Sequence, residues 1–362
     1  MVPFRRQNKF GPGLDMRMRA PASAGGDESL RVVVLCTDRG LKTLRRHHDL
    51  AVSSEALPFA VVSAVTRSEI LRLAQDRGIR LLEIDERYAS VPDPVAGTGL
   101  RNADVFSRYK HGPLRDLNGS GVRVLIQDTG YSTHPDIPNR IRSIDCTSDG
   151  TTRDYHGHGT AIVSQMAARG KFPGLIPEAE IMMARIFDRS QSTSLSAILR
   201  ACSAALEHSA HVVSMSYGGP MPNPAIALAM RRLHASGVCL IAAAGNSGPA
   251  NGTIEYPGGY AEVLATAAVT KDGRLAPFSS RGRPRQNPMK PDVALEGVNI
   301  VMAKSPDGNM GTPAEPGYIM ASGTSFACPI GACLAAMVIE ARGTRTAPND
   351  VYEILRRSAR RA

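Results

Sequence analysis

From Gly121 onward, short apolar runs alternate with helical stretches, and this alternation limits the possible folds more than any other feature of the chain. Residues 122–127 (VRVLIQ), 181–187, 211–216, 238–244 (VCLIAAA) and 263–269 have strand length and are almost wholly apolar. Residues 160–168, 195–208, 225–235, 325–341 and 348–360 read as helices, the last begun by Pro-Asn-Asp. Strands that are apolar throughout, with no polar alternation, are buried on both faces. Strand–helix–strand connections place neighbouring strands in parallel with right-handed crossovers. The expected fold is therefore α/β, a mostly parallel sheet with helices on both faces. Sites in such folds lie at the carboxyl ends of the strands.

A smaller pattern precedes it. Residues 30–36 (LRVVVLC), 59–65 (FAVVSAV) and 79–84 (IRLLEI) are strand-like, with helical stretches at 41–48 and 67–77 between them. The second helix puts Ile70, Leu71 and Ala74 on one side and ends before Gly78, a position suited to a helix C-cap. This order predicts a small α+β unit whose sheet is covered on one face. Residues 1–29, rich in Gly, Pro, Arg and Ala, predict a flexible arm. Pro92, Pro94, Gly97 and Gly99 break any regular element after the unit. The expected division is an arm at 1–29, an α+β unit at 30–91, a linker and lead-in segment at 92–120, and the α/β domain at 121–362.

With 362 residues, 43% of them apolar and 21% charged, the chain has room for two domains and is not disordered overall. The net charge of +10 comes from scattered arginines. Aromatic residues do not interleave with them as a stacking platform would need, so nucleic acid is not an expected partner. No apolar run approaches the roughly 20 residues that cross a bilayer, so no membrane association is expected. The first residues carry Arg and Lys without a signal-peptide apolar core. Six cysteines in this length do not make a disulfide scaffold and read as reduced core thiols. Together these features lead us to expect a cytoplasmic protein.

Four segments carry chemistry. Asp128 follows a buried strand and precedes Thr129-Gly130. His158 lies in Asp154-Tyr-His156-Gly-His158-Gly-Thr160, between glycines at a helix start. Ser325 opens an apolar helix after Gly323, where backbone N–H groups face outward. Asn246 ends an apolar strand in Ala244-Gly245-Asn246. Serine is a weak nucleophile that needs a neighbouring base. A histidine can supply that base, and an aspartate can fix its tautomer. An Asn amide can donate to a developing oxyanion together with the Ser325 N–H. The His156-x-His158 spacing suits a metal, but no carboxylate or thiol cluster accompanies it.

These segments resemble the subtilisin-like serine proteases, or subtilases. The family motifs stand here as Asp128-Thr-Gly, His158-Gly-Thr, Ser216-Tyr-Gly-Gly219, Ala244-Gly-Asn246 and Gly323-Thr-Ser325-Phe-Ala-Cys-Pro329, in family order. His134-Pro-Asp136, Tyr256-Pro-Gly258, Phe278-Ser-Ser-Arg-Gly282 and Lys290-Pro-Asp-Val293 also match, so the likeness covers roughly residues 100–355. It departs at Ala161, where the family commonly has a second His, and at Leu295-Glu-Gly297, where Ala-Pro-Gly is usual.

The resemblance implies a serine endopeptidase that acts on protein or peptide substrates through an acyl-enzyme and needs no cofactor for the chemistry. Asp128, His158 and Ser325 would form the triad, with Asn246 and the Ser325 N–H as oxyanion donors. Ser216, Tyr217 and Gly218 would pair with the substrate backbone. Ala243, Ala244 and Gly245 would wall the main specificity pocket. Glu255 would floor that pocket and favour Arg or Lys. The unit at 30–91 resembles the family's inhibitory prodomain, a ferredoxin-like fold, which makes the chain's own N-terminal part an intramolecular inhibitor and predicts autoprocessing within residues 87–101. Asp136 matches a family calcium ligand, but the loop at 169–174 lacks the oxygen-bearing residues a hard cation wants, and tight calcium binding is not expected. The alternative is a catalytically silent binding or regulatory protein on the same scaffold, which the intact Asp128, His158, Ser325 and Asn246 argue against.

Overall fold

The apolar runs at the start of the chain form an antiparallel sheet. The structure, a computed structural model, describes residues 9–19, 29–89, 109–110, 112–137 and 141–359. Helix α1 (Pro12–Arg19) is followed by β1 (Leu30–Cys36), α2 (Asp38–His47), β2 (Leu50–Ser54), β3 (Phe59–Val65), α3 (Arg67–Gln75) and β4 (Ile79–Ile84). The sheet order is β2-β3-β1-β4, so from β1 onward the unit has the β-α-β-β-α-β arrangement of a ferredoxin-like fold. Its helices start where side chains can take up backbone donors. The Thr37 hydroxyl accepts from the Gly40 N–H (3.1 Å), and Thr66 and Glu69 form a reciprocal capping box.

The unit departs from the sequence expectation at three places. The arm expected over 1–29 contains α1. Leu14 is fully buried among Val32, Val34 and Leu82, and Phe10 bridges to Leu82, so two apolar anchors hold a segment whose average composition is that of a loop. Strand β2 (LAVSS) is too polar to have been read as a strand. Helix α3 stops at Gln75, and Gly78 instead lies against Gly40, where a Cβ would stand 2.7 Å from the Gly40 Cα.

The chain continues through β5 (Arg87–Ala89), β6 (Arg123–Asp128), β7 (Arg142–Asp145), α4 (His158–Ala167), β8 (Glu180–Arg185), β9 (Ser192–Ser194), α5 (Leu195–Glu207), β10 (Val212–Met215), α6 (Pro224–Ala235), β11 (Cys239–Ala243), β12 (Val263–Val269), β13 (Val293–Glu296), β14 (Ile300–Ala303), β15 (Thr312–Glu315), β16 (Tyr318–Ala321), α7 (Thr324–Arg342) and α8 (Pro348–Ser358). Seven of these strands form one all-parallel sheet in the order β13-β12-β11-β10-β6-β8-β7. Both faces are covered, as the continuous apolar runs require. Val124 and Ile126 point into a core with α4, α7 and α8, while Leu125 between them points into a second core with α5 and α6. The small antiparallel sheet β14-β16-β15 lies outside the sequence expectation, because its four-residue strands are separated by Pro- and Gly-rich turns.

Helix α7 corrects a further expectation. With 19 residues and a mean hydropathy of 1.6, it is long and apolar enough to cross a bilayer. Here 83% of its apolar window is buried inside the protein. It packs on four strands of the sheet and against α4 and α8, which accounts for a helix apolar on all sides. All six cysteines are buried and unbridged, Cys36 in the small unit and the other five in the large domain.

The two parts share a core. Val32 and Val34 face the helices of the small unit, while Val33, Leu35, Phe59 and Val61 face the other way and join the cluster containing Leu199, Ala225 and Ala229 of α5 and α6.

Candidate active site

Three adjacent strands in the middle of the large sheet, β6, β10 and β11, end in residues that carry the chemistry. From β6 the chain moves to β8 and β7 on one side and later to β10 through β13 on the other, so a crevice opens at the β6/β10 switch point. Asp128 is the last residue of β6 and only 1% exposed. Its Oδ1 accepts from the Thr129 N–H (2.7 Å) and lies 2.7 Å from His158 Nδ1. His158, 6% exposed, is the first residue of α4. Its two glycine neighbours have different reasons to be glycine. Gly157 has φ 109°, a left-handed conformation disfavoured for side chains, and a Cβ on Gly159 would stand 2.1 Å from the Gly130 carbonyl oxygen.

Ser325, 7% exposed, is the second residue of α7, so its N–H is among the helix donors without an intrahelical acceptor. The Ser216 hydroxyl donates to the Ser325 carbonyl (2.9 Å) and ties the serine to the end of β10. Phe326, the next residue, packs its ring 5.4 Å from that of His158. Asn246 Oδ1 accepts from both the N–H and the hydroxyl of Thr324 (2.9 Å each), and the residue lines the crevice. Thr324 also accepts from the Gly245 N–H (3.1 Å). It was not singled out from the sequence, although it stands inside the Gly-Thr-Ser motif.

Ser325, His158, Asn246, Ser216, Tyr217, Gly218, Ala243, Gly245 and Glu255 all line one pocket. Ala244 does not. It is fully buried behind the wall, and its carbonyl accepts the Glu255 N–H (2.9 Å), because alternate residues of an extended segment point to opposite sides. Glu255 is 5% exposed and accepts from the Ser247 hydroxyl (2.8 Å). A Cβ added to Gly218 or to Gly245 would stand 2.6 Å from its carboxylate group, so both pocket walls close directly on it. Burial raises its pKa above the usual carboxylate range.

The small unit contributes Tyr88 to the same pocket. Strand β5 pairs antiparallel with β9, Tyr88 opposite Thr193, and Arg87 forms an ion pair with Asp188. The Tyr88 hydroxyl donates to Glu86 Oε2 (3.0 Å) and lies 3.3 Å from Asn223 Nδ2. Asp85 reaches the first turn of α5, accepting from the Ser196 N–H and hydroxyl (2.8 Å each), while the Leu195 N–H donates to the Glu86 carbonyl (3.0 Å). Most of the span expected to be processed, from residue 90 on, lies outside the described residues.

Asp136 has neighbours unlike those of a cation ligand. Its Oδ2 accepts from the Lys171 N–H (2.9 Å) and from the Tyr318 hydroxyl, and Gly170 packs against the carboxylate. Two hydrogen-bond donors and a nearby lysine do not fit a hard cation that wants six or more oxygens. Among the described residues no group of three or more His, Cys, Asp or Glu could hold a metal, and His156 stands apart from any such cluster.

The profile described as the Subtilase family, Peptidase S8, matches residues 119–362. The "Thermostable alkaline protease" of Halalkalibacterium halodurans is 27% identical over 326 residues, 89% of this chain and 84% of that protein. "Subtilisin Savinase" of Lederbergia lenta is 34% identical over 227 residues, 62% of this chain and 78% of that protein. "Serine protease AprX" of Bacillus subtilis is 29% identical over 337 residues, 84% of this chain and 73% of that protein. Among solved structures, fervidolysin from Fervidobacterium pennivorans, described as a keratinolytic enzyme related to subtilisin, superposes with a TM-score of 0.73 at 21% identity. That match covers 96% of this chain, which spans 58% of the fervidolysin chain.

Proposed function

The chain belongs to the subtilase family and is a subtilisin-like serine endopeptidase, and from that premise we propose that Ser325, His158 and Asp128 perform its chemistry. The Ser325 hydroxyl attacks the scissile carbonyl carbon as His158 Nε2 takes its proton. The same proton then goes to the leaving amine, and water repeats the cycle on the acyl-enzyme. Asp128 holds Nδ1–H and stabilises the imidazolium. The Ser325 N–H and the Asn246 amide receive the oxyanion. The 2.7 Å contact between His158 and Asp128, in a crevice shared with Ser325 and Asn246, carries this reading.

Glu255 belongs to the proposal as the selector of Arg or Lys before the scissile bond. A cationic side chain between Gly218 and Gly245 would meet a nearly buried carboxylate. The small unit acts as the intramolecular inhibitor, supported by Tyr88 in the pocket and Asp85 on α5, and autoprocessing falls within residues 87–101. Activity needs no tightly bound calcium. A cytoplasmic setting is also proposed, and the six unbridged thiols support it.

A fluorophosphonate probe tests the chemistry. It should label wild-type protein and leave Ser325→Ala unlabelled, and only the wild type should cleave a peptide library. Equal labelling of both, or cleavage by Ser325→Ala, overturns the assignment. An unlabelled, inactive wild type would favour the silent-scaffold alternative. Mass spectrometry of the same two proteins tests processing, since a wild type that keeps residues 1–101 removes it.

A further inference from the structure

A buried carboxylate that the mechanism above does not use links the two residues that must stay in register. Asp154 is 0% exposed. Its Oδ1 accepts from the Thr129 hydroxyl (2.8 Å), the Gly157 N–H (2.7 Å) and the His156 N–H (3.2 Å). Its Oδ2 accepts from the N–H (2.8 Å) and the hydroxyl (2.7 Å) of Thr160. The Thr129 hydroxyl in turn accepts from the Gly159 N–H (2.8 Å). Its own proton has two acceptors within range, Asp154 at 2.8 Å and Asp128 at 3.3 Å, and the nearer one takes it. The backbone of Asp154 is held as well. Its N–H donates to Ser132 Oγ (3.1 Å), and its carbonyl accepts from the Ser305 hydroxyl (2.9 Å).

We propose that Asp154 is a positioning residue that sets His158 against Asp128. Through Thr129 it grips the residue that follows Asp128. Through Gly157, Thr160 and the Thr129–Gly159 bond it grips the backbone on both sides of His158. Among the described residues, no other carboxylate besides Asp128 itself bonds to both segments. All five donors are uncharged, and together they satisfy both oxygens of the buried carboxylate, those of Thr160 lying in the first turn of α4. That is a costly way to fill an interior and an effective way to fix geometry, because a carboxylate accepts from several directions at once. A displacement of about 1 Å at such a site lowers rate on the order of 10²-fold.

The inference rests on the reading of Asp128 and His158 as triad members. The test compares Asp154→Asn, Thr129→Val and Thr129→Ser in the full chain, with active sites counted by fluorophosphonate titration. Asp154→Asn keeps the size but faces an amide N–H₂ against donors. Thr129→Val cuts the link, and Thr129→Ser keeps it. We expect kcat per titrated site to fall on the order of 10²-fold in Asp154→Asn and Thr129→Val with KM unchanged, and to stay near wild type in Thr129→Ser. A loss that appears only as fewer titratable sites and a lower Tm, with kcat per site intact, makes Asp154 merely structural and overturns the proposal. If Asp154→Asn does not fold, the Thr129 pair decides, and Thr129→Ser as damaged as Thr129→Val overturns it. A wild type that the probe does not label removes the triad reading first, whatever the variants do.

Discussion

The two sheets of this molecule complete their cores in different ways. The seven-stranded parallel sheet is covered on both faces by helices of its own domain, α4, α7 and α8 on one side and α5 and α6 on the other. The four-stranded antiparallel sheet covers one face with α1, α2 and α3 and leaves the other, with Val33, Leu35, Phe59 and Val61, to be completed by α5 and α6 of the large domain. One sheet is covered by helices of its own domain, and the other borrows half of its cover from a neighbour. A unit of this size buries little surface by itself, so its stability is tied to docking. The same contact lays β5 along β9 and puts Tyr88 in the pocket. Docking of the small unit and placement of Tyr88 in the crevice thus share one set of contacts.

The largest effect that would break this contrast is Phe59→Ala. Phe59 is fully buried in the shared cluster, and its loss should cost about 3–5 kcal/mol. In differential scanning calorimetry the small unit should melt earlier while the transition of the large domain stays in place, and a single transition shifted as a whole would refute the borrowed-core picture. Asn246→Ala acts on the opposite side of the comparison. It should lower kcat by about 10²–10³-fold, the loss measured for an oxyanion donor in subtilisin, and leave the small-unit transition in place while the large domain loses about 1–3 kcal/mol, because the buried Thr324 donors lose their acceptor. Asp85→Ala removes an acceptor that the small unit lends to α5 and should weaken docking by about 1 kcal/mol, read as weaker inhibition of Ser325-active enzyme by the added N-terminal unit.

Glu255 gives the smallest effect. Burial raises its pKa, so in the folded state the proton is held to higher pH than in the unfolded chain. Its contribution to stability is complete below the ordinary carboxylate pKa and is lost as pH rises through the raised folded value. Melting curves of Ser325→Ala and of Ser325→Ala with Glu255→Gln should therefore converge in acid and separate toward neutral pH, with the Gln variant more stable there. For arginine peptides kcat/KM should rise over the same interval, because only the ionised carboxylate pairs with the guanidinium.

The large domain was legible because strands buried on both faces read as unbroken apolar runs and its helices are apolar or periodic. The edges were less so. Strands β14, β15 and β16 are short and interrupted by turns, β5 acquires its partner β9 only in space, and α1 hangs on Leu14 and Phe10 within a loop-like composition. The site divides in the same way. Asp128, His158, Ser325 and Asn246 stand at element ends beside glycines, where a sequence pattern marks them. Asp154 and Thr324 also bond to residues far along the chain, Thr129 in one case and Asn246 in the other, and no local pattern reveals those links. Ala244 was misplaced because a three-residue wall alternates its side chains.

The buried thiols give the chain a gauge of its own disassembly. A chromogenic sulfur reagent would find nothing on the intact molecule and would register each cysteine only as its surroundings open. Because Cys36 sits in the lobe with the borrowed core, it would react as that lobe lets go, and the other five would wait for the enzyme body to come apart.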